Sequence, residues 1–193
     1  MINYPLFTAL LDANVLYPAG IRDILIQPAV YDLYRPKWSS DIFREWMRTD
    51  QRKNKNHDPQ KVRSTQTQLE SFFFDAQITG YERLISGPDL PDPDDRHVLA
   101  AARQCECDLI VTWNVSDFPA DIVDPFGIDV YDPDEFLITL FEAHPQEILE
   151  SVRAIRKKLK NPAYSVDEYL EMRLNDGLIT TVSILRQHAY LLE

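Results

Sequence analysis

Apolar and polar positions alternate along the chain in blocks that separate strands from helices. Residues 7–11 (FTALL) form a short apolar run bounded by polar residues, the pattern of a strand buried on both faces. "DLIVTW" (108–113) repeats that pattern, "GIDVY" (127–131) gives a third strand, and "QITGYERLI" (77–85) fits a short one. "GIRDILIQPAVYDLY" (20–34) carries apolar residues at helical spacing, and Pro28 is expected to kink or split that helix. "WSSDIFREWMR" (38–48) reads as a second helix, with Ser39 and Ser40 as candidate N-caps and Ile42, Phe43, Trp46 and Met47 on one side. Asp58 and Pro59 open a third, with Val62, Leu69, Phe72 and Phe73 inward. "RHVLAAARQC" (96–105) is an alanine-rich helix able to approach a sheet closely, and "DPDEFLITLFEA" (132–143) is a further capped helix.

Strands that alternate with helices predict a mostly parallel sheet covered on both faces, an α/β fold of the three-layer α/β/α sandwich type. Beyond residue 143 the pattern is helical only. Ser165 and Glu168 have capping-box spacing, and Gly177 stands where a helix ends in a left-handed residue. The expected division is therefore 1–143 for the α/β unit and 144–193 for a C-terminal helical extension.

Composition narrows the class. Hydrophobic residues make up 45% of 193, enough for a core. No run of about twenty apolar residues occurs, and "MINYPLF" lacks a basic segment followed by an apolar one, so the expected location is the cytoplasm. Cys105 and Cys107 are too close in sequence for an easy disulfide and too few for a zinc site, and read as packing residues. A net charge of −11 argues against coating nucleic acid by bulk electrostatics and leaves room for holding cations. The basic runs 44–63 and 153–160 are either solvated helix faces or phosphate contacts.

Four acidic places fall at the carboxyl edge of the predicted sheet or on helices facing it. Asp12 ends the first strand, Glu45 lies beside the second helix's apolar stripe, Asp94 and Asp95 open the alanine-rich helix, and Asn114 and Asp117 follow the "LIV" strand. Each has a plain alternative. Asp12, Asn14, Asn114 and Asp117 suit turns, Glu45 can pair with Arg48, and Asp94 or Asp95 can cap a helix. Gathered in one crevice, though, unpaired carboxylates repel one another and are costly to bury, so such a set persists if cations bind. Oxygen donors point to Mg²⁺ or Mn²⁺, and such ions suit phosphodiester hydrolysis. Trp38 and Trp46 read as core residues rather than base-stacking platforms, and His97 as an exposed residue at a helix start.

"LLDANVL", "RPKWSSDIFREW", "DPDDRHVLAAA" and "LIVTWNVSDFP", in this order, resemble the PIN-domain ribonucleases, including the VapC-like toxins of toxin–antitoxin pairs, over about residues 7 to 140. The resemblance implies that Asp12, Glu45 and Asp95 are catalytic and that Asp12 and Asp95 hold metal, with Asp94 the nearest substitute for Asp95; Asp117, three residues past Asn114, is the candidate to supply the family's fourth acid in both roles. It also implies that Asn14, Thr112 and Asn114 support them. Many members have Thr-x-Asp where this chain has Thr112-Trp113-Asn114, which leaves full two-metal occupancy in question. Arg48, Arg52, Lys53 and Lys55, on the run that follows Glu45, are candidate phosphate contacts. The function implied is a divalent-metal-dependent endoribonuclease leaving a 5′-phosphate and a 3′-hydroxyl, with a small antitoxin as partner and a homodimer through helical faces. The alternative is a catalytically degenerate PIN-like module that binds RNA or protein. A small-molecule phosphohydrolase is disfavoured, since Asp12-Ala13-Asn14 lacks an Asp-x-Asp nucleophile motif. For residues 145–193 an antitoxin dock, a dimer element and an RNA-specificity module all fit.

Overall fold

A computed structural model describes residues 6–193, so the reading of the N-terminus given above rests partly on residues outside the described ones. The chain runs β1 (Thr8–Leu11), α1 (Ala13–Leu16), α2 (Ala19–Val30), β2 (Arg35–Ser39), α3 (Ser40–Lys53), α4 (Pro59–Phe72) and β3 (Gln77–Ile78). It continues through α5 (Arg96–Gln104), β4 (Leu109–Val111), α6 (Ala120–Val123), β5 (Asp129–Tyr131) and α7 (Pro133–Ala143). Three more helices follow: α8 (Pro145–Lys158), α9 (Val166–Asn175) and α10 (Ile179–Gln187).

The five strands form one sheet in the order β3-β2-β1-β4-β5, and every pairing is parallel. Parallel neighbours need crossover helices, and right-handed crossovers put those leaving β1 and β2 on one face and those entering β4 and β5 on the other. The strand order therefore reverses between β1 and β4, and the crevice outside the carboxyl ends of those two strands is where such sheets bind ligands. Asp12 follows β1 there and Thr112 follows β4. The α/β class and central parallel sheet agree with the pattern read from sequence.

Four local readings are corrected. Residues 35–39 (RPKWS) form β2, an inner strand missed because arginine, proline and lysine dilute its apolar signal; wholly buried Trp38 is its one large apolar anchor, beside buried Pro36 and Ser39. Pro28 does not split α2, because it sits in the last turn, where its missing N–H removes one hydrogen bond and the helix is about to end. Phe72 faces outward at 73% exposure, while Phe73, one step on, packs edge-on against Trp38 with ring centroids 6.1 Å apart. The segment 77–85 yields only a two-residue strand, followed by a 3₁₀ turn over Glu82–Leu84.

The cap readings at Ser39, Asp58 and Asp132 hold, each side chain accepting a backbone N–H of its helix's first turn, and the Ser165–Glu168 capping box is complete. The thiols of Cys105 and Cys107 are free, with Sγ atoms 2.8 Å apart. Among the described residues no helix is long and apolar enough to cross a membrane.

The C-terminal helices dock onto the α/β body rather than hanging from it. α8 packs on α2, and α10 packs on α7, where both carboxylate oxygens of Asp134 accept the N–H groups of Thr180 and Thr181 at 2.8 Å. Arg173 of α9 is buried, pairs with Asp176 at 2.7 Å, lies 5.1 Å from the Tyr169 ring and donates to the Gly20 carbonyl of α2 at 3.3 Å. A methyl group on Gly20 would come within 2.1 Å of that guanidinium. Gly20→Ala is therefore expected to displace Arg173 and to cost about 1–3 kcal/mol. A thermal melt at least several degrees below wild type checks it.

Candidate active site

Asp12 owes its place to three neighbours. Its N–H donates to the Val111 carbonyl (3.1 Å), which continues the β1–β4 ladder one step past the strand. Its Oδ1 accepts the Ala13 N–H (2.6 Å) and so caps α1, which makes the turn-forming reading correct as far as it goes. Its Oδ2 accepts the Thr112 hydroxyl at 2.7 Å, and the residue is 2% exposed. Thr112 Oγ1 in turn accepts Asn14 Nδ2 (2.8 Å) and the Asn114 N–H (3.1 Å), while Asn14 Oδ1 accepts the Trp113 N–H (3.1 Å). Asn14 and Thr112 thus pin the ends of β1 and β4 together through side chains aimed at one carboxylate.

Asp95 comes from the other side. Pro93–Asp95 form a 3₁₀ turn leading into α5, and Asp92 caps that turn by accepting the Asp94 N–H at 2.9 Å. The expectation that Asp94 or Asp95 caps the helix is corrected: Asp95 makes no capping bond. It is instead buried, and its Oδ2 has no hydrogen-bond partner. Such an atom is costly unless something positive or protic meets it. The alanines of α5, all buried, let the helix lie close to β1 and β2 and bring Asp95 to the sheet edge.

Glu45 lies on the flank of α3, its side chain 42% exposed, with Oε2 3.5 Å from His97 Nε2. His97 is the second correction: its side chain is only 17% exposed, set against Glu45 and facing the cleft rather than open solvent. Burial pulls its pKa down, but the carboxylates of Glu45, Asp41 and Asp12 outweigh this and the net shift is upward. Asp94 and Asn114 are exposed and line the same cleft, and Asp117 is half-buried in the Val115–Asp117 3₁₀ turn.

The acids feel one another. Burial, then the charge of Glu45, pushes the Asp12 carboxyl up to about 6 against the opposing hydrogen bonds from Thr112 and Ala13. Burial, then Asp12, Asp92, Asp117 and Glu45, pushes Asp95 up to about 7. A cleft bordered by Glu45, Asp92, Asp94 and Asp95 holds about 380 Å³ and runs between α3 and the 92–95 loop. A larger, more apolar groove of about 420 Å³ lies between α2, α4 and α8, away from the acids.

Arg48 and Arg52 line the acidic cleft, whereas Lys53 reaches over the Tyr17 ring (5.9 Å) and Lys55 sits in the exposed loop after α3. Arg44, Asp41 and Asp92 also line the cleft and were missed by sequence reasoning. The signal was present for Arg44, which stands four residues before Arg48 and eight before Arg52. Trp38 and Trp46 are core residues, as read.

Among the described residues no three His, Cys, Asp or Glu side chains close into a metal-binding group. The chemistry of the set nonetheless fits a hard divalent cation. Its donors are oxygens, one of them is buried without a partner, and an open site suits an ion that keeps several of its waters.

A family model described as PIN domain matches residues 8–116. The chain belongs to the PIN-domain family. A second model, the VapC50 C-terminal domain, matches residues 133–187 of this PIN-domain protein, from α7 through α10. A relative from Mycobacterium tuberculosis named "Putative ribonuclease VapC50" is 40% identical over 52 residues, 27% of this chain and 31% of that relative. The match therefore spans less than a third of that relative's length.

The raised carboxyls of this PIN domain make stability depend on pH. The unfolded chain releases these protons near the ordinary value of 3.8, while the folded site keeps them to about 6 and about 7. The folded state thus binds more protons across that window, and stability falls as pH rises through it. In EDTA, the melting-temperature advantage of Asp95→Asn over wild type is expected to grow by several degrees between about pH 4.5 and about pH 7.5, and Mn²⁺ is expected to reverse it. Scanning calorimetry across that series checks both signs.

Proposed function

We propose that this protein is a divalent-metal-dependent endoribonuclease acting in the cytoplasm as the toxin of a toxin–antitoxin pair. The observation that carries this reading is Asp95 Oδ2, buried and unpartnered, on a carboxyl whose proton affinity is raised by Asp12, Asp92, Asp117 and Glu45. Membership of the PIN-domain family and the similarity to a relative named as a ribonuclease support RNA as the substrate. The unit 1–143 holds the chemistry and the helices of 144–193 extend it.

Asp12 and Asp95, the two most buried acids, are the proposed ligands, with Asp94 and Asp117 beside them. The chemistry that Mg²⁺ or Mn²⁺ would supply, held by these residues, is a nucleophile at neutral pH and neutralisation of charge on the phosphoryl group. Thr112 keeps one Asp12 oxygen occupied and fixes the plane of the carboxylate, and Asn14 holds the Thr112 hydroxyl so that it donates in that direction. Glu45, the most solvated of the three central acids, stands at the rim, where an Oε atom can accept the proton that an attacking water gives up. Asn114 contributes no charge, and Asp117, whose field reaches Asp95, stands in for the missing acid. With that charge count, Asp12 and Asp95 would hold one ion firmly, and Asp94 and Asp117 would hold a second one weakly until substrate is bound. The products are a 5′-phosphate and a 3′-hydroxyl. A small antitoxin offering a basic or aromatic segment complements the acidic cleft. A homodimer through helical faces completes the assembly.

Asn114 favours a second reading, a PIN domain that binds RNA or protein without cutting. Two measurements separate the readings. Asp12→Asn is expected to lower Mn²⁺-dependent cleavage of single-stranded RNA more than about 100-fold, and Thr112→Val about 10- to 100-fold with the fold intact. Calorimetric titration of the wild type with Mn²⁺ is expected to show binding that Asp12→Asn abolishes. RNA binding without any Mn²⁺ heat or cleavage would establish the silent module instead.

A further inference from the structure

The cleft beside the acids has two unlike banks. On one, Asp92 and Asp94 are exposed. On the other, Arg44, Arg48 and Arg52 stand one helical turn apart along α3, each exposed and each lining the cleft. Successive members are separated by a rise of about 6 Å. Glu45 lies immediately after the first, so the row begins at the acids and leads away from them.

We infer that Arg44, Arg48 and Arg52 form a phosphate rail that holds one strand of RNA in register with the acidic site, Arg44 taking the phosphate nearest the bond to be cut. This rests on the nuclease reading for the identity of the polymer, and on the cleft alone for its path.

Arg44 is built for that place. Its guanidinium pairs with Asp41, and Asp41 Oδ2 is itself held by the Tyr81 hydroxyl at 2.6 Å, with Tyr81 1% exposed. One edge of the guanidinium is thereby fixed while its side chain remains 62% exposed, leaving N–H donors free for an outside oxygen. Arg48 and Arg52 have no carboxylate partner among the described residues, so their charge is available. The opposite bank sets selectivity. A second phosphate backbone lying across the cleft would run along Asp92 and Asp94, so a duplex is repelled where one strand is accepted.

Fluorescence anisotropy of the full chain in EDTA, where cutting is off, tests this with a labelled oligouridine 12-mer over a salt series. Each of Arg44→Gln, Arg48→Gln and Arg52→Gln is expected to lower the slope of log K against log salt by about 0.7, and the triple variant by about 2. Lys157→Gln, an exposed cation on α8, should leave the slope unchanged. A duplex of the same length should bind at least tenfold more weakly and show no dependence on the three arginines. Unchanged slopes in the arginine variants, or equal binding of duplex, overturn the rail. So does displacement by polyglutamate at matched charge, which would make the row a dock for an acidic protein. Cleavage that persists with arginine-independent binding sinks the rail and spares the nuclease; arginine-dependent binding with no cleavage in Mn²⁺ does the reverse.

Discussion

A carboxylate buried at the junction of β1 and β4 is the constraint around which the rest of the molecule is arranged. Asp12 can lie 2% exposed because the Ala13 N–H and the Thr112 hydroxyl each take one of its oxygens, and because its own N–H extends the strand ladder. Those bonds lower its proton affinity, yet burial and Glu45 still raise it overall. The site is thus held in place by interactions that do not fully compensate its charge. That imbalance is the property a cation-binding pocket requires: a fully satisfied carboxylate has little affinity left to offer.

The elements around Asp12 serve that placement. The alanine face of α5 permits a close approach to β1 and β2 and carries Asp95 inward, while the apolar stripe of α3 settles Ile42, Phe43 and Trp46 into the core and turns Glu45 and the arginines toward the cleft. The C-terminal helices reach the same region from behind. Gly177, at a φ of +101°, lies against Trp113, and any Cβ there would stand 3.1 Å from the indole. Trp113 sits between Thr112 and Asn114, so the turn joining α9 to α10 backs the segment that orients Asp12. Glycine is needed twice over, for the left-handed backbone and for the indole's room. The extension is thereby part of the support for the site, whatever else it contacts.

The position of Asp12 was legible because a charged residue follows a buried strand at once, whereas Glu45, Asp95 and Asp117 were picked out only by the order of four motifs along the chain. What stayed illegible has physical reasons. β2 is a strand by virtue of its neighbours on both sides and not of its own residues, since Trp38 is the one large apolar side chain that RPKWS offers to the core. Phe72 and Phe73 differ by one step of helix rotation at a C-terminus, a distinction apolar periodicity does not resolve. The cap of the 93–95 turn is Asp92, so the aspartate nearest the helix start is released from backbone duty. His97 looked exposed because the sequence does not say that Glu45 of α3 comes within 3.5 Å of its imidazole.

The same arrangement would reconcile a strongly acidic chain with the polyanionic substrate proposed for it. Overall repulsion disfavours indiscriminate contact with nucleic acid, and screening confines attraction to within about a Debye length of a local cation row, roughly 8 Å at physiological salt. On the reading proposed above, a strand would be retained where Arg44, Arg48 and Arg52 line the cleft together with Asp94 and Asp95. Global charge sets what is refused, and local charge sets where the remainder is admitted. A basic surface in place of the acidic one would bind more RNA while losing the preference for this one position along it.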